Sequence, residues 1–476
     1  MTARLRRLTG PRLGLLALLL LSLALRVVIV LHGGQRFWPD EFRYLQAVEA
    51  ITQWRSGEQA AAACRILGSA DHLGFKALML LPAWAEGHLK SSLPLPSLFL
   101  CLFSVANIGW AWCIPRRAGA DEHEALWAAT AMAASNTMFY WSRHLMPYDL
   151  ALFWALASTW FAFGAEPRRR DSWLAGLFGF AAFVTYAGSW SLVACILTVH
   201  VLAARRGWRT LLGRAAYGLV GLGGPFALLL TVDRLLGVDL LASYRGFAGT
   251  ITQGDFNEGH LVFFQYLWRT ERLTALVWAG ALIAFLALVR SAPAADGRRG
   301  ILWVAIILAV ATLLICGANL LHVFVVYGRL ARQVVPFCAL LVGWVAARIF
   351  RDRPWCPAEV AALAGLLACG LSSMREPLRQ EFPEEFHRRA VTAMQEHQAA
   401  DGATNSAFAP DRYRFLYNGH IYPYPNEAPL PPRSEVLLRS PHPLAWRPYL
   451  YEGYTHAQRD RFEATDISMR LVLVPD

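Results

Sequence analysis

Apolar stretches close to bilayer length recur from residue 13 to residue 374, and no other feature narrows the fold as far. A bilayer core takes roughly 20 apolar residues per helix. The stretches that qualify are about 13–32, 93–114, 125–142, 148–165, 173–187, 189–204, 215–236, 273–290, 301–322, 333–350 and 357–374. That makes about eleven, several of them short, with the 173–204 pair the most open to argument. Backbone amides in lipid must bond within their own segment, so these runs are read as helices. The chain is 56% hydrophobic and 17% charged, which excludes an ordinary soluble enzyme built on one large core. The expected fold class is therefore an α-helical polytopic membrane protein with about 11 transmembrane helices over 1–374. A hydrophilic segment, 375–476, follows.

Charge orients the spans. Residues 1–374 hold 33 basic and 20 acidic residues, net +13; residues 375–476 hold 12 and 14, net −2; together these give the formal +11. Basic clusters occur at Arg4/Arg6/Arg7, Arg116/Arg117, Arg168/Arg169/Arg170, Arg205/Arg206/Arg209, Arg298/Arg299 and Arg348/Arg351/Arg353. With eleven spans they all fall on one side, and the positive-inside rule makes that side cytoplasmic. The basic excess is read as topology signal and contact with anionic lipid, so no nucleic acid is expected as a partner. The N-terminus is then cytoplasmic, and the first apolar run is expected as an uncleaved helix because no A-x-A-like site follows it. Arginine bias and the lack of targeting signals suit a bacterial inner membrane. The eight cysteines lie mostly in apolar segments without CxxC or Cys/His metal spacing, so neither a disulfide framework nor a zinc site is expected.

Three long regions then face outward, besides short loops such as the one before Asp149: the first loop 33–92, the loop 237–272 and the tail 375–476. The apolar "LGFKALMLLPAWAEG" in the first loop is too short to span and is read as a helix at the membrane surface. The tail, with its Pro-rich "YPYPNEAPLPPR" and short runs such as "RLVLVPD", is expected to form a small periplasmic α/β domain.

Ionisable residues cluster at the outer ends of the spans. "FWPDEFRY" places Asp40 and Glu41 at the mouth of the first span, with Arg43 and Tyr44 on the same helical face as Asp40. A carboxylate beside a cation and a phenol has the make-up of a general base acting on a hydroxyl. The plainer alternative is a wet loop that caps the next helix. Lysine occurs only at Lys76 and Lys90. Lys76, at helical spacing from His72, either sits beside a phosphate as a compact ammonium or snorkels to the interface. Asp149, in "SRHLMPYDLALFW", is a second carboxylate for the same cavity, or a helix N-terminal acid stabilised by the dipole. Arg329 and Arg332, in "VVYGRLARQVVPF", break the positive-inside pattern, which suits a phosphate-binding pair or anionic lipid contact. Arg26 is placed to reach the same cavity.

"FWPDEFRY" resembles the first-loop signature of the GT-C superfamily of membrane glycosyltransferases that use polyprenyl-phosphate sugars. The resemblance is strongest to the branch holding the aminoarabinose transferases and protein O-mannosyltransferases. Lys76 stands where that branch has a lysine in an "EKPP"-like context, although Phe75 and Ala77 flank it here. Asp149 matches a second acid, and "YGRLARQVVPF" matches a basic, Pro-containing helix start. The resemblance covers the layout of 1–374. It implies an inverting transfer from a polyprenyl-phosphate sugar donor to a lipid, glycan or protein acceptor hydroxyl at the outer face. In that scheme Asp40 is the base, Glu41 or Asp149 orients acceptor or base, and Arg43, Lys76, Arg329 and Arg332 hold the donor phosphate. Tyr44 and His72 contact substrate. Some members use a divalent metal ion and some do not, and no spacing here decides between them. A transporter or lipid flippase is the rival from another class, but no internal repeat is visible and the ionisable residues are not at the midplane. A polysaccharide ligase or polymerase of similar layout is the second rival.

Overall fold

Long runs of Leu, Ala and Val without a β-period become helices wherever the structure is described. The computed structural model describes residues 10–32, 43–68, 70, 72–89, 94–164, 168–203, 207–252, 261–291, 298–321, 328–351, 355–379, 383–400, 413–417, 435–439 and 469–473. Among the described residues, six helices are long and apolar enough to cross a membrane. They are α1 (Gly10–Leu31), α5 (Leu95–Arg117), α11 (Trp208–Leu235), α14 (Leu273–Ser291), α15 (Arg298–Leu320) and α17 (Pro357–Arg379). The other five predicted spans fall on shorter helices, of 12 to 17 residues: α6 (Glu122–Ala133), α8 (Tyr148–Ala162), α9 (Arg169–Thr185), α10 (Trp190–Leu202) and α16 (Val335–Ile349).

Length and burial run in opposite directions. α6 and α16 are buried almost throughout, whereas α11 has Leu219, Val220 and Leu228 more than half exposed. An apolar side chain in lipid loses nothing by facing outward, so the outer helices stay apolar all round. At the centre, small residues bring backbones together. A Cβ on Gly343 of α16 would lie 2.6 Å from the Glu124 carbonyl oxygen of α6, so any larger residue would force the two helices apart.

The segment predicted as one span at 125–142 is three pieces. α6 ends at Ala133, α7 (Asn136–Tyr140) restarts after Ser135, and a 3-10 turn covers Trp141–Arg143. Ser135 favours the break because its hydroxyl accepts from Met138 N, capping the new helix. The two long loops expected to face outward are also partly helical. In the first, α2 (Arg43–Arg55), α3 (Gln59–Leu67) and α4 (Leu73–Leu89) pack on one another; in the second lie α12 (Leu240–Thr252) and α13 (Val262–Glu271).

In the tail, α18 (Pro383–Ala400) buries Phe386, Ala390 and Met394, one helical stripe. It packs against β2 (Glu435–Arg439) and β3 (Met469–Leu473). β3 is central in an antiparallel sheet of order β1-β3-β2, with β1 (Tyr413–Tyr417) paired Tyr413 to Leu473. Leu471 of β3 is fully buried.

Candidate active site

Asp149 lies in the first turn of α8, where it contacts two other elements and, through Ser104, comes near a third. Arg332, in the 3-10 segment Gly328–Gln333, donates to the Asp149 carboxylate; both side chains are 4% exposed. Ser104 of α5 accepts from Arg26 Nε of α1 at 2.8 Å and donates to the Met138 carbonyl at 3.5 Å, which holds the Arg26 guanidinium near the same carboxylate. Asn107 Nδ2, one turn further along α5, donates to the Asp149 backbone carbonyl at 3.0 Å. Arg26, Ser104 and Asn107 are 0 to 1% exposed. Two guanidinium groups therefore surround one carboxylate away from water. Burying a charge costs several kcal/mol unless it is paired. Among the described residues, Arg26 Nη2 and Arg332 Nε have no hydrogen-bond partner.

Aromatic rings carry the cluster towards the first loop. The Arg332 guanidinium lies 5.9 Å from the Tyr148 ring centroid, within cation–π range. Tyr148 meets Tyr186 edge-on at 4.9 Å, and Tyr186 meets His72 at 5.3 Å. His72 sits at the head of α4, its carbonyl accepting from Lys76 N at 3.0 Å. His72 has φ +52°, a left-handed conformation that costs a non-glycine residue about 1 kcal/mol or more. Lys76 is fully buried, so it does not snorkel to the interface. Beside this row, Tyr148, Tyr186 and Arg332 share a cavity of about 20 Å³ with the apolar Leu152, Leu192 and Leu330. That is room for one water in this conformation.

Of the sequence-predicted residues, the structure thus links Asp149, Arg332 and His72, with Lys76 one turn behind. Tyr44 is buried and donates to Glu86 Oε2 of α4 at 2.6 Å, which ties α2 to the helix carrying Lys76. Asp40 and Glu41 lie outside the described residues. Arg43 begins α2 and Arg329 lies in the same 3-10 segment as Arg332; the side chains of both lie outside the described set. No three His, Cys, Asp or Glu side chains converge as a metal site would require, among the described residues.

Sequence reasoning passed over the groups that hold this arrangement. Glu271, at the end of α13, is fully buried and accepts from Ser135 Oγ at 2.6 Å, Thr137 N at 2.8 Å and Asn136 N at 3.0 Å. Its carboxylate thus caps α7 from another part of the chain. Trp141 Nε1 to Tyr266 OH, 2.9 Å, is a further stitch between the two segments. α13 also packs on the 3-10 segment of Arg332, so one short helix braces that segment and α7, the helix that precedes the turn leading to Asp149. Burial pushes the Glu271 carboxyl above its ordinary range, and its donors pull it back down. Arg143 and His144 are each 1% exposed in the turn before Asp149. Two ionisable residues inside "WSRHLMPYD" were a readable signal for them, because charged groups within an apolar stretch seldom face lipid.

No family model and no curated protein sequence matches the chain. Its structure is similar to the crystal structure of ArnT from Cupriavidus metallidurans bound to undecaprenyl phosphate. The TM-score is 0.53 at 16% identity, over 82% of this chain and 71% of that one. An oligosaccharyltransferase from Archaeoglobus fulgidus in the apo form matches at a TM-score of 0.44 and 12% identity, over 87% of this chain and 62% of that one. The first of these likenesses is one of fold: the chain shares the fold of ArnT.

Proposed function

We propose that the chain is an inverting glycosyltransferase that moves a sugar from a polyprenyl-phosphate donor to an acceptor hydroxyl at the outer face of a bacterial inner membrane. The observation that carries this reading is the buried Arg26–Asp149–Arg332 cluster, with two cations to one acid, beside a cavity lined by aromatic and aliphatic side chains together with Arg332. An excess positive charge held dry attracts an anion. A lipid phosphate supplies one together with a tail suited to Leu152, Leu192 and Leu330. The undecaprenyl phosphate in the ArnT structure is a ligand of that chemistry.

In this reading the acceptor oxygen attacks the anomeric carbon from the face opposite the phosphate. The bond from that carbon to the phosphate oxygen breaks, and Asp40 takes the acceptor proton. Arg332, Lys76, Arg43 and Arg329 stabilise the departing phosphate, where negative charge grows during the reaction. Asp149 orients Arg332, Glu41 orients the acceptor or base, and Tyr44 and His72 shape the mouth. The domain division at 374/375, the eleven crossings, a periplasmic α/β tail and a cytoplasmic N-terminus belong to the same proposal. Six long helices and the basic loop pattern support it.

The test offers purified protein in nanodiscs a panel of radiolabelled polyprenyl-phosphate sugars with a membrane-lipid extract as acceptor. Wild type is expected to transfer or slowly hydrolyse one donor. Asp40→Asn is expected to bind that donor without turning it over, and Arg332→Gln to bind it at least about tenfold more weakly, the loss of a charge-assisted contact. Full activity in Asp40→Asn would remove Asp40 as the base. Donor neither bound nor consumed, together with lipid flux in liposomes, would replace the enzyme with a flippase.

A further inference from the structure

A second, larger cavity lies at the opposite end of the bundle, among the basic loops. It measures about 510 Å³ and is walled by Arg12 and Leu15 of α1, Trp112, Arg116 and Arg117 of α5, and Trp160 of α8. Nothing in the proposed transfer uses it. On α1, Arg12 and Arg26 are 14 residues apart, or roughly 21 Å at 1.5 Å per residue, so the two cavities sit near opposite faces of a bilayer core.

The charges in this groove are unevenly spent. Arg12 pairs with Glu122 at 2.6 Å. Arg117 reaches Asp171 at 3.5 Å and lies 4.8 Å over the Trp160 ring, while its Nε is buried without a hydrogen-bond partner among the described residues. Arg116 is exposed and donates to the Ala120 carbonyl at 2.6 Å. Three arginines thus face two carboxylates, Glu122 in the cavity wall and Asp171 behind Arg117, and Arg116 makes no ion pair among the described residues. A backbone without a side chain makes room for one of them: a Cβ on Gly164 would lie 3.1 Å from Arg117 Nη2. Leu15, Trp112 and Trp160 are half-buried and form an apolar wall next to the guanidinium groups. Tryptophan and arginine together mark the depth where lipid head groups meet acyl chains.

We propose that this groove binds an anionic glycerophospholipid of the leaflet at the basic end. Its phosphate lies against Arg116 and Arg117, and an acyl chain lies along Leu15, Trp112 and Trp160. A soluble phosphate compound satisfies the arginines and leaves the apolar wall wet. A zwitterionic lipid satisfies the wall and brings its own cation to the arginines. Only an anionic lipid matches both.

The experiment uses the full chain in nanodiscs with a phosphatidylglycerol bearing a diazirine on its acyl chain, and maps the adducts by mass spectrometry. Adducts are expected on residues 110–117 and 158–164, competed by unlabelled phosphatidylglycerol and unaffected by inorganic phosphate. Labelling there is expected to fall by about fivefold or more in the Arg116→Gln/Arg117→Gln variant, since each basic residue at a membrane surface contributes on the order of a fivefold preference for anionic lipid. Should that variant fail to insert, Arg117→Lys keeps the charge that sets topology and is expected to weaken labelling through loss of the guanidinium fork. The wild-type comparison of head groups decides in either case. Equal labelling by the phosphatidylcholine analogue, or adducts spread evenly over the lipid-facing helices, would overturn the proposal. Competition by inorganic phosphate would overturn it too, by making this a soluble-anion site.

Discussion

Arg26 and Arg12 stand on the same helix and meet opposite surroundings. Arg26 is 1% exposed and donates to the buried Ser104 hydroxyl close to the Asp149–Arg332 pair. Arg12 keeps half its side chain open and pairs with Glu122 at the rim. Charge at the rim is inexpensive, since water and lipid head groups solvate it and the ion pair is worth only about 0–1 kcal/mol. Charge at the buried end carries a desolvation penalty of several kcal/mol per ion. A fold bears that penalty where the charges serve the site. The rim arginines carry no such penalty, which is consistent with the lipid contact proposed for them.

The sharpest way to break this contrast is to remove the buried acid. Asp149→Ala leaves Arg26 and Arg332 without their counter-charge and is expected to cost about 3–5 kcal/mol and abolish turnover, read by thermal unfolding in detergent and by the transfer assay. Joining it with Arg332→Met is expected to restore much of the stability and none of the donor binding; recovery of both would mean the pair is only structural. Glu271→Ala comes next. It strands three donors inside the protein and is expected to cost roughly 1–3 kcal/mol. The Glu271 carboxyl also makes a pH prediction. Burial raises it above its ordinary 4.5, so its stabilising contribution is complete below that pH and is lost as pH rises through the folded-state value. Glu271→Gln is expected to flatten that slope in a melting-temperature series from pH 4 upward, and an unchanged slope would assign it to another group. Ser104→Ala removes a single shared hydroxyl and is expected to cost about 1 kcal/mol. The smallest effect is at the rim. Arg12→Gln is expected to change unfolding by ~0–1 kcal/mol, and by less at high salt. A loss there as large as that of Asp149→Ala would end the distinction between the two ends.

The apolar runs were enough to place a helix at every predicted span, because hydrophobic segments of that length have few other solutions in lipid. The positions of Asp149 and Arg332 were also legible. Each is a charge at an outer span end in the eleven-span reading, which an apolar run does not require for topology. Glu271 was not legible. It sits at the end of an ordinary amphipathic helix, and its partners Ser135, Asn136 and Thr137 are more than 130 residues away. Tyr148 and Tyr186 were equally silent, because a tyrosine near a span end is commonplace.

By itself, then, the sequence determined the helical class, the spacing of the basic clusters and several charged residues of the candidate site. Those properties depend on composition and local period. Tertiary structure alone decided that the short helices are the central ones, that 125–142 breaks at Ser135, and that Arg26, Ser104, Asp149 and Arg332 meet. These follow from which helices pack together, and the affinity of one helix face for another in a membrane rests on small-residue fit and buried hydrogen bonds. Neither leaves a periodic trace in a single chain.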